Sequence, residues 1–384
     1  MPKKIAIIST ANRGGGSETF LRGLMPQLLN ISDEVEYHLF LADSIKDNFL
    51  FLSDRLIVHP ISMTIIKDNY KRFFFENLTL FHLLQKIKPD LCFYTSEIIN
   101  PLLSFLKIPV ITMYHATLQF YMLPGIDESR LKLTYVRFMR DISVFLADRV
   151  VAVSHYEKAE LGGRYPQFMF SKFVVIYHGV DKANFNNIFF SSLDTPLGFE
   201  FPYILCVGDR YRHKKIDYML KIYKRMRDSF SIVEHFIIIG KSKSEAVDKQ
   251  LFSYVESNDL QNWVHFIEHI DNNSIGFYYK RAKLYWTNSS CESFGLTPLE
   301  AMACGTPVVS TWESSLPEIY GKAVTYYDPN FTEEEDVAQT IYTCLMDEQL
   351  RIEMINRGFE LVERFDWENT AKKYLNLFKM ELKK

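Results

Sequence analysis

Short, continuous apolar runs alternate with amphipathic stretches along the whole chain, and this alternation predicts strands that are each followed by a helix. In the first half the runs are KIAIIST, VEYHLFLA, DLCFYT, PVITMY, RVVAVS and FVVIYHG. The second half repeats the arrangement with YILCVGD, EHFIIIG, WVHFIE, KLYWTN and TPVVS. These runs are apolar throughout, so their strands should be covered on both faces, as parallel sheets are. The predicted class is α/β, with two Rossmann-like domains whose parallel sheets face each other across a cleft.

Both periodicities fail in KANFNNIFFSSLDTPLGFEF, where Asn, Ser, Pro and Gly accumulate. We place a linker at 184–201, between an N-terminal domain at 1–183 and a C-terminal domain at 202–365. The last stretch, FDWENTAKKYLNLFKMELKK, reads as an amphipathic helix with Trp367, Tyr374, Leu375, Phe378 and Leu382 near one face. It is expected to pack back across the boundary, so that 366–384 rejoins the first domain. No period of 20 to 50 residues appears, which sets solenoids and propellers aside.

Composition narrows the function classes. A chain of 384 residues with 47% hydrophobic and 24% charged residues is ordinary globular material for two or three domains. Its formal charge of -3 gives no general attraction to nucleic acid, so an anionic ligand must be met by local cations. The five cysteines, Cys92, Cys206, Cys291, Cys304 and Cys344, are scattered without a CxxC pair, which fits reduced thiols and argues against a zinc site. No run of eighteen apolar residues and no leader pattern is present, and a cytoplasmic location is expected.

The stretch ESFGLTPLEAMACGTPVVS sets Glu292 and Glu300 on either side of a glycine-containing turn into a helix. Ser293, Phe294, Gly295 and Leu296 lie between them, and the amides of a helix mouth suit a phosphorylated polyol. A second reading needs no ligand, because Thr297, Pro298, Leu299 and Glu300 spell a capping box with proline at the first helical position. Were the interval all helix, the two carboxylates would be ~12 Å apart along the axis, too far to exchange a proton. They should therefore have different jobs.

Three further stretches carry candidate chemistry. GDRYRHKK (208–215) follows the strand YILCV and puts Arg210, Arg212, Lys214 and Lys215 in a strand-to-helix crevice, although a cationic run is also an ordinary solvated face. NRGGGSE (12–18) offers consecutive glycine amides, or simply a flexible loop, with Ser17 placed to cap the helix that follows. His115 ends the strand PVITMY, where a histidine is equally a satisfied structural group or a working one.

Residues 292–310 resemble the E-x7-E signature, usually written EGFGLxxxEAMAxGxPVV, of retaining nucleotide-sugar-dependent glycosyltransferases of the family 4 kind, which have the GT-B fold. Ser293 stands where glycine is commonest. Residues 208–215 resemble that superfamily's GxRxxxKN segment with Lys215 in place of asparagine, and YHGVD resembles its NGVD pattern with His178 in place of asparagine. GGSE resembles the GGxE loop, and FDWENTA resembles the FSWxxxA ending. The resemblance runs from residue 4 to about 376.

The resemblance implies a role for each matching residue. Glu292 would meet the donor sugar near the reacting carbon, and Glu300 would hold the ribose hydroxyls. Phe294, Gly295 and Leu296, with Ser293, would give backbone contacts to sugar and phosphate. Arg210 and Lys214 would be paired cations on the diphosphate, Gly15 and Gly16 would lie beneath it, and His115 would touch the donor sugar. The implied reaction moves a hexose, with retention, from a nucleoside diphosphate sugar to a hydroxyl of a glycan or lipid-linked glycan. The donor is a GDP or UDP sugar acting as co-substrate, and no further cofactor is implied. The GxRxxxKN form leans toward mannose, and the lack of a DxD motif predicts a metal-free site in which Arg and Lys serve. The alternatives are another enzyme of this fold, such as an epimerase or phosphorylase, and a non-catalytic subunit.

Two stretches, DNYKRFFFENLTLFHLLQKIK (68–88) and SRLKLTYVRFMRDISVFLADR (129–149), interleave cations with bulky apolar residues. Interfacial helices on a membrane have this composition, and so do core helices with snorkelling cations. A peripheral membrane contact is thus one expectation for the first domain.

Overall fold

The computed structural model describes residues 2–10, 16–50, 52–115, 130–182, 200–242, 244–270 and 274–383. It divides into two compact units, the second spanning Val180–Phe365 and the first including Asp366–Lys384. The chain thus leaves the first unit at Gly179, earlier than the expected 183, and most of the expected linker at 184–201 lies outside the described residues.

The first unit has β1 (Lys3–Ile8), β2 (Val35–Ala42), β3 (Leu56–Ile61), β4 (Leu91–Tyr94), β5 (Val110–Tyr114), β6 (Arg149–Ala152) and β7 (Phe173–Val175). All pair in parallel in the order β3-β2-β1-β4-β5-β6-β7. The second has β8 (Tyr203–Val207), β9 (His235–Ile239), β10 (Val264–Ile267), β11 (Leu284–Trp286), β12 (Val308–Thr311) and β13 (Thr325–Tyr327). These are also parallel, in the order β10-β9-β8-β11-β12-β13. Central strands such as Phe236–Ile239 and Ile5–Ile8 are buried along their length, as the unbroken apolar runs require.

Two strands escaped the sequence pattern. In β3, Leu56 and Ile61 are buried while Ile57 is exposed, and Pro60 removes a ladder donor, which an edge strand tolerates. In β13 the sequence is TYY, not an apolar run, and only Tyr327 is fully buried.

The C-terminal helix, Trp367–Glu381, buries Trp367, Ala371, Tyr374, Leu375 and Phe378, and packs on the helix Gly16–Ile31. The approach is close at Gly23, where an added Cβ would lie 2.1 Å from the Trp367 ring. Leu382 caps this helix and is only partly buried, and Glu381 instead joins the core side through a 2.7 Å ion pair with Arg149. Ser17 is the second residue of the helix Gly16–Ile31 and so is not its cap.

One carboxyl in the first unit is out of keeping with its surroundings. Glu157, in the first turn of the helix His155–Arg164, is fully buried, and neither carboxyl oxygen has a hydrogen-bond partner among the described residues. Burial and the nearby Glu97 charge, opposed by Arg140, push its pKa up to about 8. The folded protein therefore holds a proton that the unfolded chain releases near pH 4.3, and stability should fall as pH rises from there toward 8. Glu157→Gln keeps the shape without the charge. Melting temperatures measured across pH should show the variant gaining on wild type as pH rises from 5 to 8, and parallel curves would contradict the assignment.

Candidate functional site

In the second unit the chain runs from β8 outward to β9 and β10, then returns to lay β11 on the other side of β8. The carboxyl ends of β8 and β11 are therefore the switch point of the sheet, where open α/β sheets place their ligands. Two of the predicted residues meet there. The Lys214 ammonium donates a hydrogen bond to Glu292 Oε1, and each side chain is 19% exposed.

Lys214 closes the short 3-10 turn Arg212–Lys214 after β8, and Glu292 lies in the loop after β11. The two loops are joined by the Ser290 amide, which donates to the His213 carbonyl at 2.8 Å. The backbone of Glu292 is fixed from a third loop, since its amide donates to Ser314 Oγ at 2.8 Å and its carbonyl accepts from Ser315 Oγ at 2.8 Å. Lys215, where the resembling pattern has asparagine, has φ +45°, a left-handed conformation that asparagine adopts readily.

Charge is poised across this pair. Burial drives the Glu292 pKa up, but Lys214 beside it more than offsets this and holds the carboxyl below the usual range. Burial likewise depresses Lys214, and Glu292 reverses the effect, so its pKa is raised. The neighbouring His213 is pushed down to about 4 by burial and by Lys214, with Glu292 opposing, and is neutral near pH 7. The site thus presents one cation and one anion, already matched to each other.

Beyond the loop, the helix Leu296–Ala303 begins after Gly295, whose φ is +83°. An added Cβ there would lie 2.0 Å from the Tyr320 hydroxyl, which donates to the Gly295 carbonyl at 2.9 Å. The capping box does not form. Thr297 Oγ1 lies 2.8 Å from the Tyr285 hydroxyl and 3.3 Å from the Val207 carbonyl, and it makes no cap bond. Glu300 instead accepts a 2.8 Å hydrogen bond from the buried Tyr279 hydroxyl. Burial raises the pKa of Glu300, with the Tyr279 bond opposing it. Phe294 is core, packed edge-on against Phe365 with centroids 5.6 Å apart. Ser293 and Leu296 flank this turn and are partly buried.

Arg210 is held elsewhere. Its guanidinium is 1% exposed, with a bidentate pair to Asp248 at 2.8 and 2.9 Å and a bond to the Gly240 carbonyl at 2.5 Å. It ties the β8 loop to the β9 loop and to the helix Glu245–Ser257, and the exposed Arg212 stands outside this arrangement. Sequence reasoning missed the groups that hold the site: Asp248, Tyr279, Ser314 and Ser315. Each comes from an element distant in sequence, and no local spacing signals it.

The remaining candidates belong to the first unit. His115 follows β5 and lies in an aromatic cluster, stacked on His178 at 5.4 Å and edge-on to Phe20 at 5.8 Å. Burial lowers the His115 pKa, with Glu97 opposing, and burial lowers that of His178 well below the usual value. Gly16 opens the helix Gly16–Ile31 on the surface, and Gly15 lies outside the described residues.

Two family models match the chain, together spanning nearly all of it: Glycosyltransferase Family 4 over residues 14–184 and Glycosyl transferases group 1 over residues 195–361. Among curated relatives, O-antigen chain mannosyltransferase B of Escherichia coli is 29% identical over 178 residues, 46% of each chain. O-antigen chain mannosyltransferase RfbU of Salmonella typhimurium is 27% identical over 242 residues, 63% of this chain and 62% of that one. The chain thus spans about half to just under two thirds of the length of these relatives. Among solved structures, Anabaena HepE in complex with UDP-glucose superposes with a TM-score of 0.77 at 18% identity, covering 98% of this chain and 99% of that one. WaaG, a glycosyltransferase involved in lipopolysaccharide biosynthesis, gives 0.69 at 13% identity, covering 97% and 99%. By its parallel sheets, its E-x7-E loop and both family models, the chain belongs to the group 1 glycosyltransferases with the GT-B fold.

Proposed function

We propose that this chain is a retaining glycosyltransferase that moves a hexose, with mannose favoured, from a nucleoside diphosphate sugar to a hydroxyl of a glycan or glycolipid. The observation that carries this reading is the Lys214 and Glu292 pair at the switch point of the second sheet. A cation and a carboxylate on facing loops suit a diphosphate joined to a polyol. Glu300, fixed by Tyr279, is the candidate ribose contact. The names of the two O-antigen relatives support mannose, and the UDP-glucose in the HepE complex supports a nucleotide sugar.

In this reading the C1 to phosphate-oxygen bond of the donor breaks while the acceptor oxygen bonds C1 on the same face. The acceptor proton passes to a departing phosphate oxygen. Lys214 stabilises the charge left on the diphosphate, and Glu292 orients the sugar hydroxyls. Arg210 acts through the loop it anchors, as a positioning residue. The amides of Gly295 and Leu296 serve the diphosphate. No metal is assigned a step, because Lys214 supplies the charge.

A thermal-shift panel of UDP, GDP, ADP and their sugars tests the donor class. A true ligand at 100 times its dissociation constant should stabilise by about 2.7 kcal/mol. Absence of a shift with every nucleotide at millimolar concentration would overturn the reading.

A further inference from the structure

The loops at the carboxyl edge of the second sheet carry the two most exposed aromatic rings among that unit's described residues, Phe331 at 90% and Trp312 at 57%. The other tryptophans are turned inward: Trp286 is 0% and Trp367 5% exposed, and Trp263 is partly buried. An indole left in water forgoes the burial that usually holds it, and aromatic rings are common linings of ligand sites.

Trp312 is held in place. Its amide donates to the Tyr327 carbonyl at 3.0 Å, and its ring meets Tyr326 edge to face with centroids 4.8 Å apart. Tyr326 is itself tied by its hydroxyl, which donates to the Leu316 carbonyl at 3.3 Å. Phe331 belongs to the neighbouring loop, after β13, and the two loops are joined by the Asn330 side-chain amide, which donates to Glu313 Oε1 at 2.9 Å. A carboxylate and an amide beside two exposed rings suit a ligand that is rich in hydroxyls.

The order of strands sets what lies there. Along the edge run β8, β11, β12 and β13, followed in turn by Lys214, Glu292, Trp312 and Phe331. Neighbouring strands are ~4.8 Å apart, so the rings begin one strand beyond Glu292, on the side away from Lys214. The Glu292 amide also bonds Ser314, two residues from Trp312, which keeps the two loops in one arrangement. With the diphosphate at Lys214 and the transferred hexose at Glu292, the next place along the edge falls to the sugar that receives it. A hexopyranose has a face of C–H groups, apolar and slightly positive, which suits the negative face of an indole.

We infer that Trp312 and Phe331 form a platform on which a hexopyranose ring of the acceptor glycan stacks. This assignment rests on the donor reading above, and its test separates the two.

The full chain is titrated by calorimetry with α-linked mannobiose, with UDP and GDP, and with UDP-glucose and GDP-mannose. The disaccharide should bind, and Trp312→Ala should weaken it at least about tenfold, the scale of a lost aromatic anchor. Phe331→Ala should weaken it about threefold, and Trp312→Phe, which keeps a ring, should stay within about threefold of wild type. Binding should also shift the indole emission to shorter wavelength, and the shift should vanish in Trp312→Phe. Melting temperatures check that each variant is folded, and Phe331→Ala, altered at an exposed ring, decides the matter if Trp312→Ala unfolds. No binding of mannobiose, or binding that both alanine variants leave unchanged, would overturn the inference while nucleotide binding upholds the donor reading. A loss confined to the nucleotides or nucleotide sugars would also overturn it, because the rings would then hold the donor. So would a concentration-dependent dimer that the variants abolish. Mannobiose binding that depends on Trp312 in a chain that binds no nucleotide would support the platform and remove the donor reading.

Discussion

Lys214→Ala should lower the rate of sugar transfer at saturating donor by roughly 10² or more, the scale for loss of one preorganised electrostatic stabiliser. The ammonium is largely buried beside Glu292, and its raised pKa keeps it cationic across the working pH range. In the resting protein its charge is already answered by the carboxylate. Breaking the donor bond adds negative charge to the diphosphate, so Lys214 should interact more strongly with the transition state than with bound donor. Such a difference appears in kcat more than in KM. Arginine is not expected to rescue, because a planar fork does not reproduce a compact point charge on this loop. A variant that transfers within about threefold of wild type, with an unchanged melting temperature, would remove Lys214 from the mechanism.

Glu292→Gln should move two observables in opposite directions. A free nucleoside diphosphate must compete with the Glu292 carboxylate for Lys214, and it meets that carboxylate as a like charge. The neutral amide removes both obstacles, so the affinity for the nucleotide without sugar should rise about tenfold, or about 1.4 kcal/mol, a modest share of one charge interaction in a partly buried site. Transfer should fall by about 10², because the sugar loses the acceptor that orients it. Calorimetric titration with UDP or GDP beside a transfer assay reads both effects. Nucleotide affinity that stays the same or weakens would show that the pair does not guard the diphosphate position.

Much of the fold was legible because its strands are unbroken apolar runs, which is what burial on both faces demands. Where one face is exposed, as at Ile57, or where the strand is Thr and Tyr in place of an apolar run, as at Thr325–Tyr327, the signal vanished. The placement of the candidate site was legible as far as it is local. Glu292, Gly295 and Glu300 lie on one loop and helix, and Lys214 on a short turn after a recognisable strand. What distance in sequence conceals is the partner each cation takes. Arg210 and Lys214 look equivalent in GDRYRHKK, and only the arrival of Asp248 from another helix separates them. The same holds for Thr297 and Glu300, which spell a capping box but are drawn to Tyr285 and Tyr279.

The first unit is finished by the last residues of the chain, since the helix Trp367–Glu381 covers Phe20 and its neighbours on Gly16–Ile31. During synthesis the ribosome therefore delivers the complete second unit, Val180–Phe365, while the first still lacks its closing helix. The nascent amino-terminal half must wait with an apolar face uncovered, and a holding chaperone would find its binding surface there.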